Sequence, residues 1–258
     1  MNSRVVPVFV TYKLEADRFV KLNDLCNKVI FVDNSENKLS DIKLRGLHIL
    51  WNEKNLGYGG GANVGMEEAL KLGADWIIVL NQDLKINRKD FENLADELKN
   101  TDPAVLGPFV GGLEKNRWTA VLPSKNVDYI SGACIAIHKD VIDTIGNFYS
   151  PYFMYYEDVD YCVRAKKSGF PLIKSRVLGI RHEDNSSLGR SSFLHEYYLA
   201  RNHLLFIERE APLSVKIYEG LRLPRSYSEY LTSNNGGLSG VSDYLMRRFG
   251  EKSYENRR

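Results

Sequence analysis

Trp76-Ile77-Ile78-Val79-Leu80-Asn81-Gln82-Asp83 is a run of five apolar residues that stops abruptly at three polar ones. A short unbroken apolar run of this kind predicts a strand covered on both faces, as in parallel sheets flanked by helices. The same grammar recurs toward the amino terminus, where residues 5–10, 29–32 and 47–51 are strand-sized apolar runs. Helix-period segments lie between them. Phe19, Leu22, Leu25 and Cys26 stripe a helix over 17–26, and Ala62, Met66, Ala69 and Leu70 stripe another that follows a glycine-rich turn at 57–61. Strands alternating with helices predict an α/β fold with a mostly parallel central sheet. Ligands bind such sheets beyond the carboxyl ends of the strands, and two polar clusters stand there, Asp33-Asn34-Ser35 and Asn81-Gln82-Asp83.

The second half is less regular. Residues 129–137 predict a strand, and 139–145 a short helix closed by Gly146. An aromatic stretch over 152–156 runs into Glu157-Asp158-Val159-Asp160, which opens a helix with Val159, Cys162 and Val163 inward and Gly169 as its stop. Residues 177–181 predict a strand ending at His182, and 191–209 a strongly periodic helix. From Pro212 onward eight Lys/Arg face five Asp/Glu, with a loose break at Asn234-Asn235-Gly236-Gly237.

Composition narrows the function classes. The chain has 258 residues, 43% hydrophobic and 26% charged, enough for one large core and incompatible with disorder. Thirty-five basic against 33 acidic residues leave a net charge of +2, too small for a nucleic-acid binder. Three cysteines, Cys26, Cys134 and Cys162, show no CxxC spacing, which argues against a disulfide framework or a structural zinc site. No apolar stretch nears the ~18 residues that span a bilayer. The apolar run after Arg4 carries Pro7 and no small-residue cleavage site, so it reads as a first strand, and the expected location is cytoplasmic. P-loop, GxSxG and HExxH motifs are all missing.

Four features carry chemistry, each with a plainer alternative. Asn81-x-Asp83 follows a buried strand, whose periodicity puts residues i and i+2 on one side, and an oxygen pair there suits Mg²⁺ or Mn²⁺ bridging a diphosphate. The alternative is an Asx turn. Glu157, Asp158 and Asp160 cap a helix start, where acids are favoured in any case. Tyr152, Phe153, Tyr155 and Tyr156 crowd the approach, which fits a sugar ring held beside a partly desolvated carboxylate base. His182, with Ser186 and Ser187 following, is an ordinary histidine unless Asn81 and Asp83 bind a metal, in which case imidazole completes a set acceptable to Mn²⁺. Gly57, Gly59 and Ala62 form GxGxxA, which invites a dinucleotide reading, but five residues separate Trp51 from Gly57.

Val10-Thr11-Tyr12, Val32-Asp33-Asn34-Ser35, Asn55-Leu56-Gly57, Leu80-Asn81-Gln82-Asp83, Ser131-Gly132-Ala133, Glu157-Asp158-Val159-Asp160 and His182 occur in this order. The series closely resembles glycosyltransferase family 2, inverting enzymes with a Rossmann-like GT-A fold, and especially its bacterial rhamnosyl- and galactofuranosyltransferase-like members. The resemblance covers roughly residues 4–210. It implies a catalytic domain over 1–210 and a helical carboxyl-terminal extension over 211–258 for membrane, acceptor or dimer contact. Thr11 and Asp33 would hold the nucleobase and ribose, and Asn55 and Gly57 would shape the nucleotide pocket. Asn81-x-Asp83 stands where the family has DxD, so Asp83, assisted by Asn81 and His182, would hold Mn²⁺ or Mg²⁺ and the diphosphate. The departure is Asn81, an amide in place of the first acid. Asp158 matches the catalytic base.

The implied reaction moves rhamnose, galactofuranose or another hexose from a UDP- or dTDP-sugar to a hydroxyl of a cell-surface polysaccharide or lipid-linked glycan. Arg222, Arg225, Arg247 and Arg248 are expected to meet an anionic membrane at the inner face of the cell, with a helix packed on the core or on a second copy as the alternative. Two competing readings are a nucleotide-binding oxidoreductase using the Gly57 loop and a catalytically silent relative that binds sugar nucleotides.

Overall fold

The computed structural model describes residues 3–25, 29–36, 44, 46–182, 192–232 and 235–252. In chain order its elements are β1 (Val5–Thr11), α1 (Ala16–Asn23), β2 (Ile30–Asp33), β3 (His48–Trp51), α2 (Gly57–Lys71), β4 (Trp76–Asn81), β5 (Leu84–Lys85) and α3 (Arg88–Lys99). There follow β6 (Val105–Gly107), β7 (Val110–Leu113), β8 (Ala120–Val121), β9 (Tyr129–Ile130), β10 (Cys134–His138), α4 (Lys139–Ile145) and α5 (Glu157–Lys167). The chain ends with β11 (Leu172–Lys174), β12 (Arg181–His182), α6 (Phe193–Glu210), α7 (Leu213–Thr232) and α8 (Asn235–Leu245).

Side-chain alternation along the buried strands sorts the core into two layers. Val6, Val8 and Val10 of β1 and Ile77 and Val79 of β4 join one cluster with α2, α4, α5 and α6. Phe9 of β1 and Trp76, Ile78 and Leu80 of β4 join the other with Phe19 and Leu22 of α1 and Phe91, Leu94 and Leu98 of α3. Between the layers lies a seven-stranded sheet, ordered β11-β6-β10-β4-β1-β2-β3. All neighbours run parallel except β10, which is antiparallel to both β4 and β6. The expected α/β sheet flanked by helices is therefore present, and its central strands β1, β2 and β4 end together at Thr11, Asp33 and Asn81.

Several local readings change. Gly57–Gly61 is no turn but the start of α2 itself. A Cβ at Gly61 would sit 2.9 Å from Val10 Cγ1, and one at Gly65 would sit 2.2 Å from Val8 Cγ1, so the glycines let this helix lie hard against β1. Each costs ~1 kcal/mol of helix propensity relative to Ala, which the close packing offsets. The strand read over 129–137 is broken into β9 and β10 by Ser131-Gly132-Ala133. Over 177–182 only Arg181–His182 is extended, while β11 lies at an edge that periodicity missed because three residues show no pattern. Cys26, Ser186 and Ser187 fall outside the described residues.

The carboxyl-terminal helices share the main core through Val215, Tyr244 and Phe249, and α8 packs along α6. Of the segment 234–237 read as a break, Asn235-Gly236-Gly237 opens α8 and Asn234 lies outside the described residues; a Cβ at Gly236 would meet the Phe193 carbonyl oxygen at 2.5 Å, so glycine lets the helix pack closely there. The four arginines expected to face a membrane each have an acid: Arg222 and Arg225 pair with Glu229, Arg247 with Glu208, and Arg248 with Asp243. α7 also leaves Leu213, Ile217, Leu221 and Leu231 exposed, interspersed with the exposed Arg225 and Glu229. Among the described residues no helix is long and apolar enough to cross a membrane.

Candidate active site

At the ends of β1 and β2, Asp33 is completely buried. Its Oδ1 accepts hydrogen bonds from Thr11 Oγ1 at 3.1 Å, Ser35 Oγ at 2.9 Å and the Ser35 amide at 3.3 Å. Its Oδ2 is equally buried and has no partner among the described residues. Burial raises the Asp33 pKa, and the Ser35 and Thr11 hydrogen bonds oppose that rise. The hydroxyl of Thr11, expected to help hold the nucleobase and ribose, lies on this carboxylate and helps orient it. Asn34, given no role in the sequence reading, is the joint between sheet and helix. Its Nδ2 donates to the Gly57 carbonyl at 2.8 Å, and its Oδ1 accepts from Asn52 Nδ2 at 2.7 Å.

Asn55 Oδ1 accepts from the Gly57 amide at 3.0 Å, an Asx turn that leads the chain into α2. Gly57 has φ +72°, and a Cβ there would strike the Phe153 carbonyl, so only glycine fits. Asn55 and Gly57 thus form the wall between the β2 end and the segment before α5.

At the end of β4, Asn81 is the last strand residue, and Gln82 and Asp83 form a turn into β5. Strand periodicity therefore does not set the relation of Asn81 to Asp83; the turn does. Gln82, also unassigned from sequence, straps this turn to β1 by accepting from the Tyr12 amide at 2.8 Å and donating to the Tyr12 carbonyl at 3.3 Å. β5 pairs antiparallel with β12, which places His182 opposite Leu84, next to Asp83 in sequence. His182 Nε2 is buried without a partner among the described residues. A buried imidazole nitrogen beside a carboxylate-bearing turn has the chemistry of a divalent-metal ligand pair. Among the described residues no three His, Cys, Asp or Glu side chains converge on one point. The orphaned His182 nitrogen, on a strand paired beside the Asp83 turn, is the feature that would suit a divalent cation there.

Asp158 lies in the first turn of α5. Its Oδ2 accepts from the Gly132 amide at 2.7 Å and its Oδ1 from the Val159 amide at 2.8 Å. Tyr58 of α2 donates its hydroxyl to the Gly132 carbonyl. The adjoining Ala133 carbonyl accepts from the Asn81 amide at 3.1 Å. Three consecutive peptide groups therefore link the Asp158 carboxylate to the end of β4. Burial raises the Asp158 pKa, against the pull of those amide donors.

Glu157 is deeper still. Burial, then the neighbouring Asp158 charge, push it up to about 8, and its Oε2 lacks a partner among the described residues. A carboxyl whose folded-state pKa is raised contributes stability that is fully present below its ordinary value and is lost as the pH rises through the folded value. For Glu157 that window runs from 4.5 to about 8. Glu157→Gln is therefore expected to equal or trail the wild type near pH 4.5 and to exceed it by a few kcal/mol, to order of magnitude, at pH 8. Denaturant melts at the two pH values test this; a variant weaker at pH 8 contradicts a buried neutral acid.

Two readings of this segment are corrected. Tyr152, Phe153 and Tyr156 are core residues, at most 6% exposed, and do not form a sugar platform. Phe153 stacks on Tyr198 at 5.4 Å, and Tyr156 packs on Phe206 at 5.5 Å. Asp160 is no simple first-turn acid. It is fully buried, with Oδ2 2.8 Å from Arg164 Nε and Oδ1 2.9 Å from Arg209 Nε, and it ties α5 to α6. Sequence spacing hid this because Arg209 comes from 49 positions away.

A family model described as glycosyl transferase family 2 matches residues 22–164. The low-salt glycan biosynthesis hexosyltransferase Agl10 of Haloferax volcanii is 28% identical over 230 residues, covering 77% of this chain and 73% of that protein. The dTDP-rhamnosyl transferase RfbF of Shigella flexneri is 25% identical over 261 residues, 85% of each chain. The crystal structure of GalNAc-T7 with UDP, GalNAc and Mn²⁺ is similar in fold, with a TM-score of 0.60 at 12% identity over 95% of this chain and 55% of that one.

Proposed function

The chain belongs to glycosyl transferase family 2 and has a GT-A fold, and from that premise we propose that it is an inverting, metal-dependent hexosyltransferase. Its donor is a UDP- or dTDP-sugar, with rhamnose or galactofuranose the leading sugars, and its acceptor a hydroxyl of a cell-surface or lipid-linked glycan. One observation carries the reading. The Asp158 carboxylate is fixed on Gly132, one residue from the Ala133 carbonyl that binds the Asn81 amide, so a candidate base and a candidate diphosphate turn share one sheet edge.

Asp33 Oδ2 supplies the nucleotide end of the reading. A buried acceptor complements the imide N–H that uracil and thymine both present, and Thr11 and Ser35 position it rather than touch the base. Asn55 and Gly57 bound the nucleotide pocket. Asp83, His182 and Asn81 would hold Mn²⁺ or Mg²⁺, which when bound supplies Lewis-acid neutralisation of the leaving diphosphate. Asp158 removes the acceptor's hydroxyl proton as that oxygen attacks the anomeric carbon. The bond from that carbon to the diphosphate oxygen breaks, and its electron pair leaves with the nucleotide. A single displacement through an oxocarbenium-like state inverts the centre. Residues 1–210 carry this chemistry at the cytoplasmic face of the membrane. Residues 211–258 offer the exposed leucines of α7 to a membrane, a lipid-linked acceptor or a second copy.

The test is a panel of UDP- and dTDP-sugars incubated with the full chain and Mn²⁺, with nucleoside diphosphate release as readout. Release from one donor, abolished by chelator, is the expected result. Binding of a sugar nucleotide without any turnover would instead identify a silent relative, which the neutral Asn81 favours. Metal-independent binding of a nicotinamide dinucleotide would favour the oxidoreductase.

A further inference from the structure

The backbone leading into α5 is unusual. Phe153, Tyr155 and Tyr156 have φ of 66°, 65° and 72°, three bulky non-glycine residues in the left-handed region within four positions. Each such residue costs ~1–2 kcal/mol and persists only where surrounding structure holds it. The holding groups are on α6. Asn202, fully buried, directs its Nδ2 at three carbonyl oxygens, those of Tyr152 at 2.9 Å, Met154 at 2.6 Å and Tyr155 at 2.9 Å. Arg201, 1% exposed, donates Nη2 to the Tyr152 carbonyl at 2.8 Å and Nε to Asn202 Oδ1 at 2.9 Å.

The carboxyl-terminal segment closes the arrangement. Arg201 Nη1 donates to the Gly250 carbonyl at 2.7 Å, and the Gly250 amide donates to the Pro151 carbonyl at 3.0 Å. The guanidinium lies among the rings of Tyr197, Tyr198 and Phe249, at 5.2, 5.0 and 6.0 Å from their centroids. From the held segment, two paths lead to Asp158. One is covalent, since Tyr156 immediately precedes Glu157-Asp158. In the other, the Phe153 carbonyl accepts from the Tyr58 amide at 2.7 Å, Tyr58 donates its hydroxyl to the Gly132 carbonyl, and the Gly132 amide holds Asp158.

We propose that Arg201 and Asn202, seated by Gly250, are positioning residues that lock residues 151–156 in the backbone that aims Asp158. This rests on the reading of Asp158 as the base. It makes the carboxyl-terminal segment part of the catalytic apparatus in addition to any surface role. Reading 201–202 along α6 as a helix interior hides this, because both side chains act on a segment some fifty positions earlier.

Asn202→Ala removes the three-carbonyl contact. Its kcat is expected to fall on the order of 10²-fold, the cost of a ~1 Å misplacement, while donor affinity stays within about threefold. As Asp158 loses its Gly132 amide, the acid limb of kcat/KM is expected to move to higher pH. Loss of stability alone would lower the melting temperature without moving either readout. Gly250→Pro, which cannot adopt the φ of +86° and has no amide to donate, tests the same lock from the terminal segment if the first variant fails to fold. About a tenfold loss of kcat is expected there. Folded variants with kcat within twofold of wild type, or with losses confined to donor affinity, overturn the proposal. Asp158→Asn, measured alongside, separates two failures. Retained transfer in that variant removes the base and the proposal with it; lost transfer beside a fully active Asn202→Ala removes the lock alone.

Discussion

Asp158→Asn is expected to abolish transfer, with kcat down at least ~10³-fold, while the affinity for the sugar nucleotide changes less than about threefold. Base catalysis typically contributes ~10²–10⁴-fold, and the amide is isosteric, so it fills the same volume at the loss of one of the two hydrogen bonds. The amide's NH₂ would face the Gly132 or Val159 N–H, both of which now donate to a carboxylate oxygen. The loss is expected in the acceptor-activating step, because Asp158 is held by Gly132 and Val159 whereas Asp33 is held by Thr11 and Ser35. Burial holds the Asp158 pKa above the ordinary carboxylate value, and a base works only when deprotonated. Wild-type kcat/KM should therefore rise with pH through a midpoint above 3.8, and the residual activity of the Asn variant should lack that limb. Isothermal titration with UDP- and dTDP-sugars, combined with a pH–rate profile, measures both quantities. Equal loss of donor affinity and turnover would remove the assignment.

Asp83→Ala is the second large effect. The proposed metal site has one carboxylate, that of Asp83, beside the Asn81 amide oxygen and a His182 nitrogen that lacks a partner among the described residues, so loss of that acid is expected to weaken cation binding most. Loss of ~10³-fold in kcat/KM, about 4 kcal/mol in the transition state, is expected, with the Mn²⁺ midpoint shifted to higher concentration. Chelation of the wild type should produce the same loss, reversed by Mn²⁺. Asn81→Asp makes the opposite prediction. Restoring a second carboxylate should lower the Mn²⁺ concentration required, because a charged oxygen binds a hard cation better than an amide. Full transfer in chelator would end the metal reading, whatever the substitutions do.

How far the sequence carried the fold can be followed residue by residue. The runs at 5–10, 29–32 and 76–80 became β1, β2 and β4, because a strand buried on both faces has no polar position to confuse its pattern. Asp33 and Asn81 could be placed at the carboxyl ends of their strands for the same reason, as the first polar residues after such runs. The reading failed where elements are short or their stabilising contacts distant. The two-residue strands β5 and β12 exist by pairing with each other, so neither half announces itself. The glycine run at 57–61 looked like a turn because propensity is local, whereas its use as a close helix–sheet contact depends on Val10 and Asn34.

By itself the sequence determined the mostly parallel α/β sheet, the polar clusters at the carboxyl ends of its strands, and the family that shares its order of motifs. Those follow from period, length and the type of residue at each break. Only the tertiary structure decided what each polar side chain faces. Thr11 serves Asp33, the aromatic residues before α5 serve the core, Asp160 bridges two helices, and Asn202 holds carbonyls fifty residues away. A hydrogen bond needs its partners within ~3 Å and in line. Separation along the chain has no bearing on that distance until the sheet has closed and the helices have settled on it.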